Sequence, residues 1–285
     1  MNPPGFEPAS KPVTHPLERL GKNVNGYFGE TIDIRAILTD VEQAAHNHGW
    51  RAENFLETER FRLVALRRPP IVPGANRLWR VYISTGIHGD EPAGPLAARQ
   101  LLLDNHWPEE AEIWLCPCLN PSGFMLNRRE NAEGKDLNRQ YLQPEAEETV
   151  AHVAWLKQQP SFDLCLCLHE DWESQGFYLY ELNPDEQPSL AGPMVESVAT
   201  ACPIDSSEII EGRPAQKGII RPSVDPRSRP EWPEAFFLLA HHTRLSYTLE
   251  APSDFPLAVR TAALVAGVRG ALETFAKRRR IDPGQ

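Results

Sequence analysis

Four side chains in this sequence have the types and settings for hydrolytic chemistry. His88 and Glu91 lie in G-I-H-G-D-E, His169 closes F-D-L-C-L-C-L-H, and Glu250 closes R-L-S-Y-T-L-E. Two imidazoles and one carboxylate make the tridentate donor set of a catalytic zinc site, leaving one position for water. An ion held this way lowers the pKa of water toward about 7 and polarises a carbonyl. A further carboxylate beside that water can carry the proton. Taken alone, H-x-x-E also fits a plainer reading, a loop histidine followed by a glutamate that favours the positive end of a helix dipole. Gly86 and Gly89 flank His88 and weigh the other way, because they permit the tight backbone that aims two donors at one ion.

The stretch from Leu119 to Tyr141, L-N-P-S-G-F-M-L-N-R-R-E-N-A-E-G-K-D-L-N-R-Q-Y, concentrates Arg128, Arg129, Asn138 and Arg139, with Asn127 and Asn131 between them. It could be a solvated, turn-rich loop. Guanidinium forks also bind carboxylates and stabilise oxyanions, and a neighbouring asparagine adds directional hydrogen bonds. Cations near a metal centre suit a substrate with an anionic end.

The elements that must position these groups alternate between helix and strand. Asp33–Trp50 and Glu91–Leu103 have helical apolar spacing, and helices are also expected over Pro144–Gln158, Pro188–Thr200 and from Leu257 onward. Strands are expected at Phe61–Arg67, Leu78–Ser84, Ile113–Leu119, Phe162–His169, Phe177–Leu182 and Arg244–Glu250. Near-continuous apolar runs such as F-D-L-C-L-C-L-H indicate strands buried on both faces, within a mostly parallel sheet between helices. The reading is an α/β chain with one three-layer domain over residues 21–285, behind a proline-crowded irregular arm over residues 1–20. Residues 203–233, rich in proline and arginine, read as a long functional loop. In such open sheets, sites form beyond the carboxyl ends of strands, where His88, His169 and Glu250 all fall.

Composition excludes several function classes. The 285 residues carry 29 basic and 39 acidic side chains, a net charge of −10, which argues against a nucleic-acid partner. Apolar stretches are too short for a membrane span. The N-terminal segment lacks the basic flank and apolar core of a secretory signal. Five cysteines, without such a signal, do not suggest a disulfide framework. A cytoplasmic location is expected.

Taken together, the motifs are recognisable. G-I-H-G-D-E, N-P-S-G-F, R-E-N-A-E-G-K-D-L-N-R, a strand ending in L-H, and T-L-E-A-P follow one another from about Gly86 to Pro252. In this the chain resembles the zinc metallocarboxypeptidases and their relatives, the succinylglutamate desuccinylase/aspartoacylase deacylases. It looks most like the small bacterial carboxypeptidases, in which H-E-D-W-E-S followed by G-F-Y-L-Y-E recurs. The resemblance implies an α/β/α sandwich around a mixed, mainly parallel sheet. It implies one zinc ion per chain, bound by His88, Glu91 and His169. Arg129 would polarise the scissile carbonyl, Asn138 and Arg139 would hold the substrate's free carboxylate, and Glu250 would be the general base. The expected substrate is a peptide, with an N-acyl amino acid as the alternative; a non-catalytic peptide binder ranks third.

One departure stands out. The digestive-type members carry a mobile tyrosine about twenty residues before the general base (mobile site-covering loops act as gates). Residues 227–240 contain no tyrosine here, so either Trp232, Phe236 or Phe237 covers the site or the cap is missing. Glu170, Asp171 and Glu173 read first as supports for the ligands or as solvated acids, then as selectors of a cationic side chain, and last as holders of a second metal. The pairs Cys116/Cys118 and Cys165/Cys167 read as small buried residues, each pair on one strand face, in preference to a four-cysteine zinc site. His241 and His242 read as a polar helix end. His46 and His48 face different directions on their helix, and Lys277–Arg280 reads as a solvated helix terminus.

Overall fold

The computed structural model describes residues 19–23, 27, 30–71, 78–223, 225 and 230–281. Apart from Arg19 and Leu20, the expected arm over residues 1–20 lies outside them. The chain runs α1 (Ile34–Asn47), β1 (Arg51–Glu57), β2 (Arg62–Arg68), β3 (Trp79–Thr85), α2 (Ala93–Asp104), β4 (Ala111–Cys116), α3 (Pro121–Leu126), a 3₁₀ turn (Leu137–Arg139) and α4 (Glu147–Leu156). There follow β5 (Leu164–Asp171), β6 (Tyr178–Leu182), α5 (Ala191–Val198), β7 (Ile209–Ile210), β8 (Arg213–Gln216), β9 (Ile219–Ile220), α6 (Glu234–His241), β10 (Ser246–Pro252) and α7 (Leu257–Ile281).

The strands form one mixed sheet in the order β1-β2-β4-β3-β5-β10-β6-β9-β8-β7. Its centre, β4-β3-β5-β10, is parallel. The flanks are built mostly from antiparallel pairs, because short turns join β1 to β2, β7 to β8 and β8 to β9. A parallel connection needs a long crossover, which helices supply in the centre and α5 supplies between the parallel pair β6 and β9.

The central strands carry the period-two alternation of a sheet covered on both sides. Leu164, Leu166 and Leu168 of β5 join a cluster with α1, α2, α5 and α7, while Cys165 and Cys167 face α4 and α6 across the sheet. Helix α1 forms because Ile34, Ile37, Val41, Ala44 and Ala45 share one buried stripe, and Asp33 caps it by accepting from Ala36 N at 3.0 Å. In α7, Leu264, Val268, Leu272 and Phe275 form the expected core-facing stripe.

Several expectations are corrected. The strand expected through Leu119 stops at Cys116, because Pro117 has no N–H to continue the ladder. Cys118 therefore leaves the face of Cys116 and packs with Ile34 and Phe124. All five cysteines are free and buried. The stretch 203–233 is not a bare loop, since β7, β8 and β9 extend the sheet edge. The terminal basic run is not simply solvated either. Arg278 bonds the carbonyls of Pro188 and Ser189, Arg279 pairs with Asp163, and Arg280 pairs with Glu110. Among the described residues, no helix is long and apolar enough to cross a membrane.

Candidate metal centre and substrate cleft

The C-terminal edge of the parallel strands delivers the expected donors. His88 and Glu91 lie between β3 and α2, His169 lies near the end of β5, and Glu250 near the end of β10. The two glycines beside His88 have separate reasons. Gly86 has φ +63°, and a Cβ on Gly89 would lie 2.1 Å from the Gly123 carbonyl carbon. The ligand loop is thus pressed against α3, where only hydrogen fits.

Asn120 fastens these two segments together. Fully buried, it caps α3 by accepting from Gly123 N at 2.8 Å and donates to the carbonyls of Ile87 at 3.1 Å and Arg129 at 3.2 Å. One side chain thereby ties the His88 loop to the Arg129 loop. Its signal was present in the sequence as an asparagine followed by a helix-opening proline.

His88, Glu91 and His169 are buried, with their donor atoms within 4.8 Å of one another; no other such group occurs among the described residues. Glu91 sits between the imidazoles, Oε1 at 2.5 Å from His88 Nδ1 and Oε2 at 3.0 Å from His169 Nδ1. His88 leaves its buried Nε2 unbonded, 3.4 Å from Asp136 Oδ1. Three buried donors turned toward one point, with a carboxylate behind one imidazole, fit a zinc ion. Burial opposes ionisation of Glu91, but His88 and His169 hold its carboxyl well below the usual range. Burial lowers the His169 pKa.

Arg129 Nε bonds Asp136 Oδ2 at 2.9 Å, and its Nη1 lies 3.3 Å from His88 Nδ1. Asp136, not singled out by its type or spacing, thus aims the guanidinium at the donors. It also caps the 3₁₀ turn by accepting from Asn138 N at 2.9 Å. Asn138 Oδ1 accepts from Glu234 N at 2.8 Å, which commits the oxygen and leaves the amide N–H groups as donors. Arg139 lies beside it and donates to the Asn138 carbonyl at 2.9 Å. Arg128, in contrast, turns away to the Asn131 carbonyl.

A cleft of about 870 Å³ joins these groups, lined by the three donors, Arg129, Asn138, Arg139 and Glu250. Sheet register sets its floor in rows. Glu250 is paired with His169 on one side and Tyr178 on the other, and one step deeper Thr248 is paired with Cys167 and Tyr180. Burial raises the Glu250 carboxyl well above its ordinary range, and the negative Glu91 and Asp171 add to this. Phe236 lines the cleft, whereas Phe237 is buried against Tyr141 and His241. Trp232 packs on the α4–α6 cluster.

The three acids after His169 separate. Glu170 points to the opposite sheet face and is buried with Arg260, bonding its Nη1 at 2.5 Å and Ala93 N at 2.5 Å. Asp171 accepts from Tyr178 Oη at 3.2 Å, and burial raises its pKa to about 6. Glu173 is exposed. Behind the cleft, Glu234 accepts from Tyr82 and Ser84, both at 2.8 Å, and Tyr82 in turn meets His152 at 2.9 Å. Burial raises Glu234 to about 7 and lowers His152 to about 3.

Residues 78–202 match the family described as the succinylglutamate desuccinylase/aspartoacylase catalytic domain. That segment contains the three donors, Arg129, Asn138 and Arg139, and ends before Glu250. A curated relative, carboxypeptidase SOL1 of Arabidopsis thaliana, is 33% identical over 96 residues, covering 25% of this chain and 19% of that protein. The chain therefore spans about one fifth of that relative's length. Among solved structures, a candidate metallopeptidase of Shewanella denitrificans superposes with TM-score 0.75 at 20% identity, covering 88% of this chain and 98% of that one. A metallo-carboxypeptidase of Pseudomonas aeruginosa, bound to (2-guanidinoethylmercapto)succinic acid, gives TM-score 0.61 at 19% identity, covering 86% and 70%. At these identities the structures establish a shared fold. The resemblance read from the motifs is borne out, and the expected mixed α/β sheet with it.

Proposed function

We propose that this chain, which carries a desuccinylase/aspartoacylase-type segment on a metallocarboxypeptidase fold, is a zinc-dependent carboxypeptidase that removes the C-terminal residue of a peptide. The observation that carries this reading is the order of groups along the cleft. A carboxylate grip at Asn138 and Arg139 stands on the α6 side of the donor triad, and Glu250 stands in register with His169. Residues 21–285 would form the catalytic domain.

One zinc ion, held by His88, Glu91 and His169, would supply Lewis acidity to the scissile carbonyl and acidify the attacking water. Asn138 donates from its amide to the substrate's terminal carboxylate, and Arg139 adds a charge-assisted bond. Arg129, aligned by Asp136, faces the oxygen on which negative charge develops. Glu250 takes the proton from the water and returns it to the leaving amine. The row of Cys167, Thr248 and Tyr180 walls the space for the terminal side chain. Five free thiols and a net charge of −10 suit a cytoplasmic enzyme acting on small substrates rather than nucleic acid.

The match over residues 78–202 supports a second reading, an N-acyl amino acid deacylase with the same zinc set and base. Turnover of a dipeptide and of N-acetyl and N-succinyl amino acids with the same terminal residue separates the two. Faster dipeptide hydrolysis is expected; preference for the acylated amino acids would select the deacylase.

A further inference from the structure

The cleft crosses the sheet edge from one face to the other, and its two ends are built by different parts of the chain. Asn138 and Arg139 stand at the α6 end, since Asn138 is bonded to Glu234 N. At the other end, toward α2 and α7, the lining includes Tyr27, Asp90, Trp172 and Ser253. Tyr27 comes from the segment before α1, and its hydroxyl donates to the Asp90 carbonyl at 2.5 Å.

That segment is fastened at several points. Buried Asp254, in the β10–α7 connection, takes Leu20 N on its carbonyl at 2.7 Å. Its carboxylate takes Lys22 N at 2.9 Å and Arg19 Nε at 2.9 Å. Asn23 donates to the Trp172 carbonyl at 3.1 Å. These bonds connect residues 19–23 to both loops that follow strands β5 and β10, one of them at Trp172 itself. An aromatic ring tied down on a cleft wall contributes bulk at small entropic cost, since it has few rotatable bonds to freeze.

We infer that Tyr27, together with Trp172 of the same cleft lining, is the end wall of the cleft on the acyl side of the scissile bond and a specificity-determining residue that confines the enzyme to short substrates, an acylated amino acid or a di- or tripeptide. The inference rests on the proposed function, because the grip at Asn138 and Arg139 fixes which way the substrate runs. With the terminal carboxylate at the α6 end and the scissile bond at the triad, the rest of the substrate is directed at Tyr27. A cleft of about 870 Å³ is of small-molecule size.

The test compares the zinc-loaded full chain with Tyr27→Ala, Tyr27→Phe and Trp172→Ala. Each is assayed on an N-acetyl amino acid, an N-acetyl dipeptide and an N-acetyl pentapeptide sharing one C-terminal residue. The ratio of kcat/KM for the pentapeptide to that for the N-acetyl amino acid should rise about tenfold or more in Tyr27→Ala, as expected when a blocking group is cut back. Trp172→Ala should move it the same way, which keeps the test open if Tyr27→Ala folds poorly. Tyr27→Phe keeps the ring and should keep the parent ratio. An unchanged ratio in both alanine variants, or a parent enzyme that already prefers the pentapeptide, would overturn the inference while leaving the carboxypeptidase reading intact. Absence of any chelator-sensitive hydrolysis in the parent would overturn both.

Discussion

Glu250 and His169 are direct partners across the parallel pairing of β10 with β5. Register thus does what sequence distance cannot, setting a carboxylate beside a candidate metal donor 81 positions earlier in the chain (169 to 250). Any shift of β10 by one residue would turn Glu250 to the opposite face. In the proposed mechanism the two groups do different work, His169 as a metal donor and Glu250 as the base.

Glu250→Gln should therefore separate binding from chemistry. The amide keeps the shape but accepts no proton, so kcat should fall by about 10²- to 10⁴-fold. Zinc stoichiometry, measured by atomic absorption after dialysis, should stay at one per chain. Activity close to that of the parent would remove Glu250 from the mechanism.

Asp136→Asn tests the aim of Arg129. The variant retains an acceptor for Asn138 N but loses the charge that faces Arg129 Nε at 2.9 Å and stands behind His88. Supporting groups of this kind typically carry about 10- to 100-fold in activity or metal affinity. Kinetics at saturating zinc and a chelator competition should together register a loss of that size.

Glu234 should make stability depend on pH. Burial lifts its carboxyl to about 7 in the folded chain, against about 4.3 unfolded. The folded state therefore holds a proton that the unfolded state releases between these values. Its contribution is fully present below about pH 4 and is lost as pH rises through 7, by roughly 4 kcal/mol in all. His152, lowered to about 3, acts in the opposite sense, losing stability as pH falls. The difference between parent and Glu234→Gln urea curves from pH 4 to 8 isolates the glutamate, and a flat difference would contradict the assignment.

The clustering of His88, Glu91 and His169 was legible in the sequence because the parallel strands announce themselves as apolar runs and these residues sit where those runs stop. The place of Asn138 and Arg139 on the cleft was legible through their motif. Other parts were hidden for identifiable reasons. Strand β1, R-A-E-N-F-L-E, is an edge strand with mostly exposed side chains, so no buried face imprints a period on it. The two-residue strands β7 and β9 are too short to show one. Asp136, Glu234 and Tyr27 owe their positions to contacts formed only in the fold; the Asn138–Glu234 bond joins residues 96 apart. Phe237 was a plausible site cover by type alone, and the turn of α6 sends it into the core instead.

Glu170 and Arg260 form a pair with neither side chain exposed. Glu170 also holds Ala93 N at the start of α2, two residues after the candidate ligand Glu91. Glu170→Gln leaves Arg260 buried with only Glu30 to balance it. A loss of about 3–5 kcal/mol is expected when one partner of such a pair is removed. Chemical denaturation measures it, and a change within experimental scatter would mean that the pair is not structurally important.

The central claim is metal-dependent removal of a residue from a free C-terminus. Its most direct test is mass spectrometry of the zinc-loaded chain acting on paired peptides, each with a free and with an amidated C-terminus, before and after chelation. The account predicts loss of single terminal residues from the free acids alone, abolished by chelator and restored by zinc. Equal cleavage of the amidated peptides, or hydrolysis that survives metal removal, would contradict it.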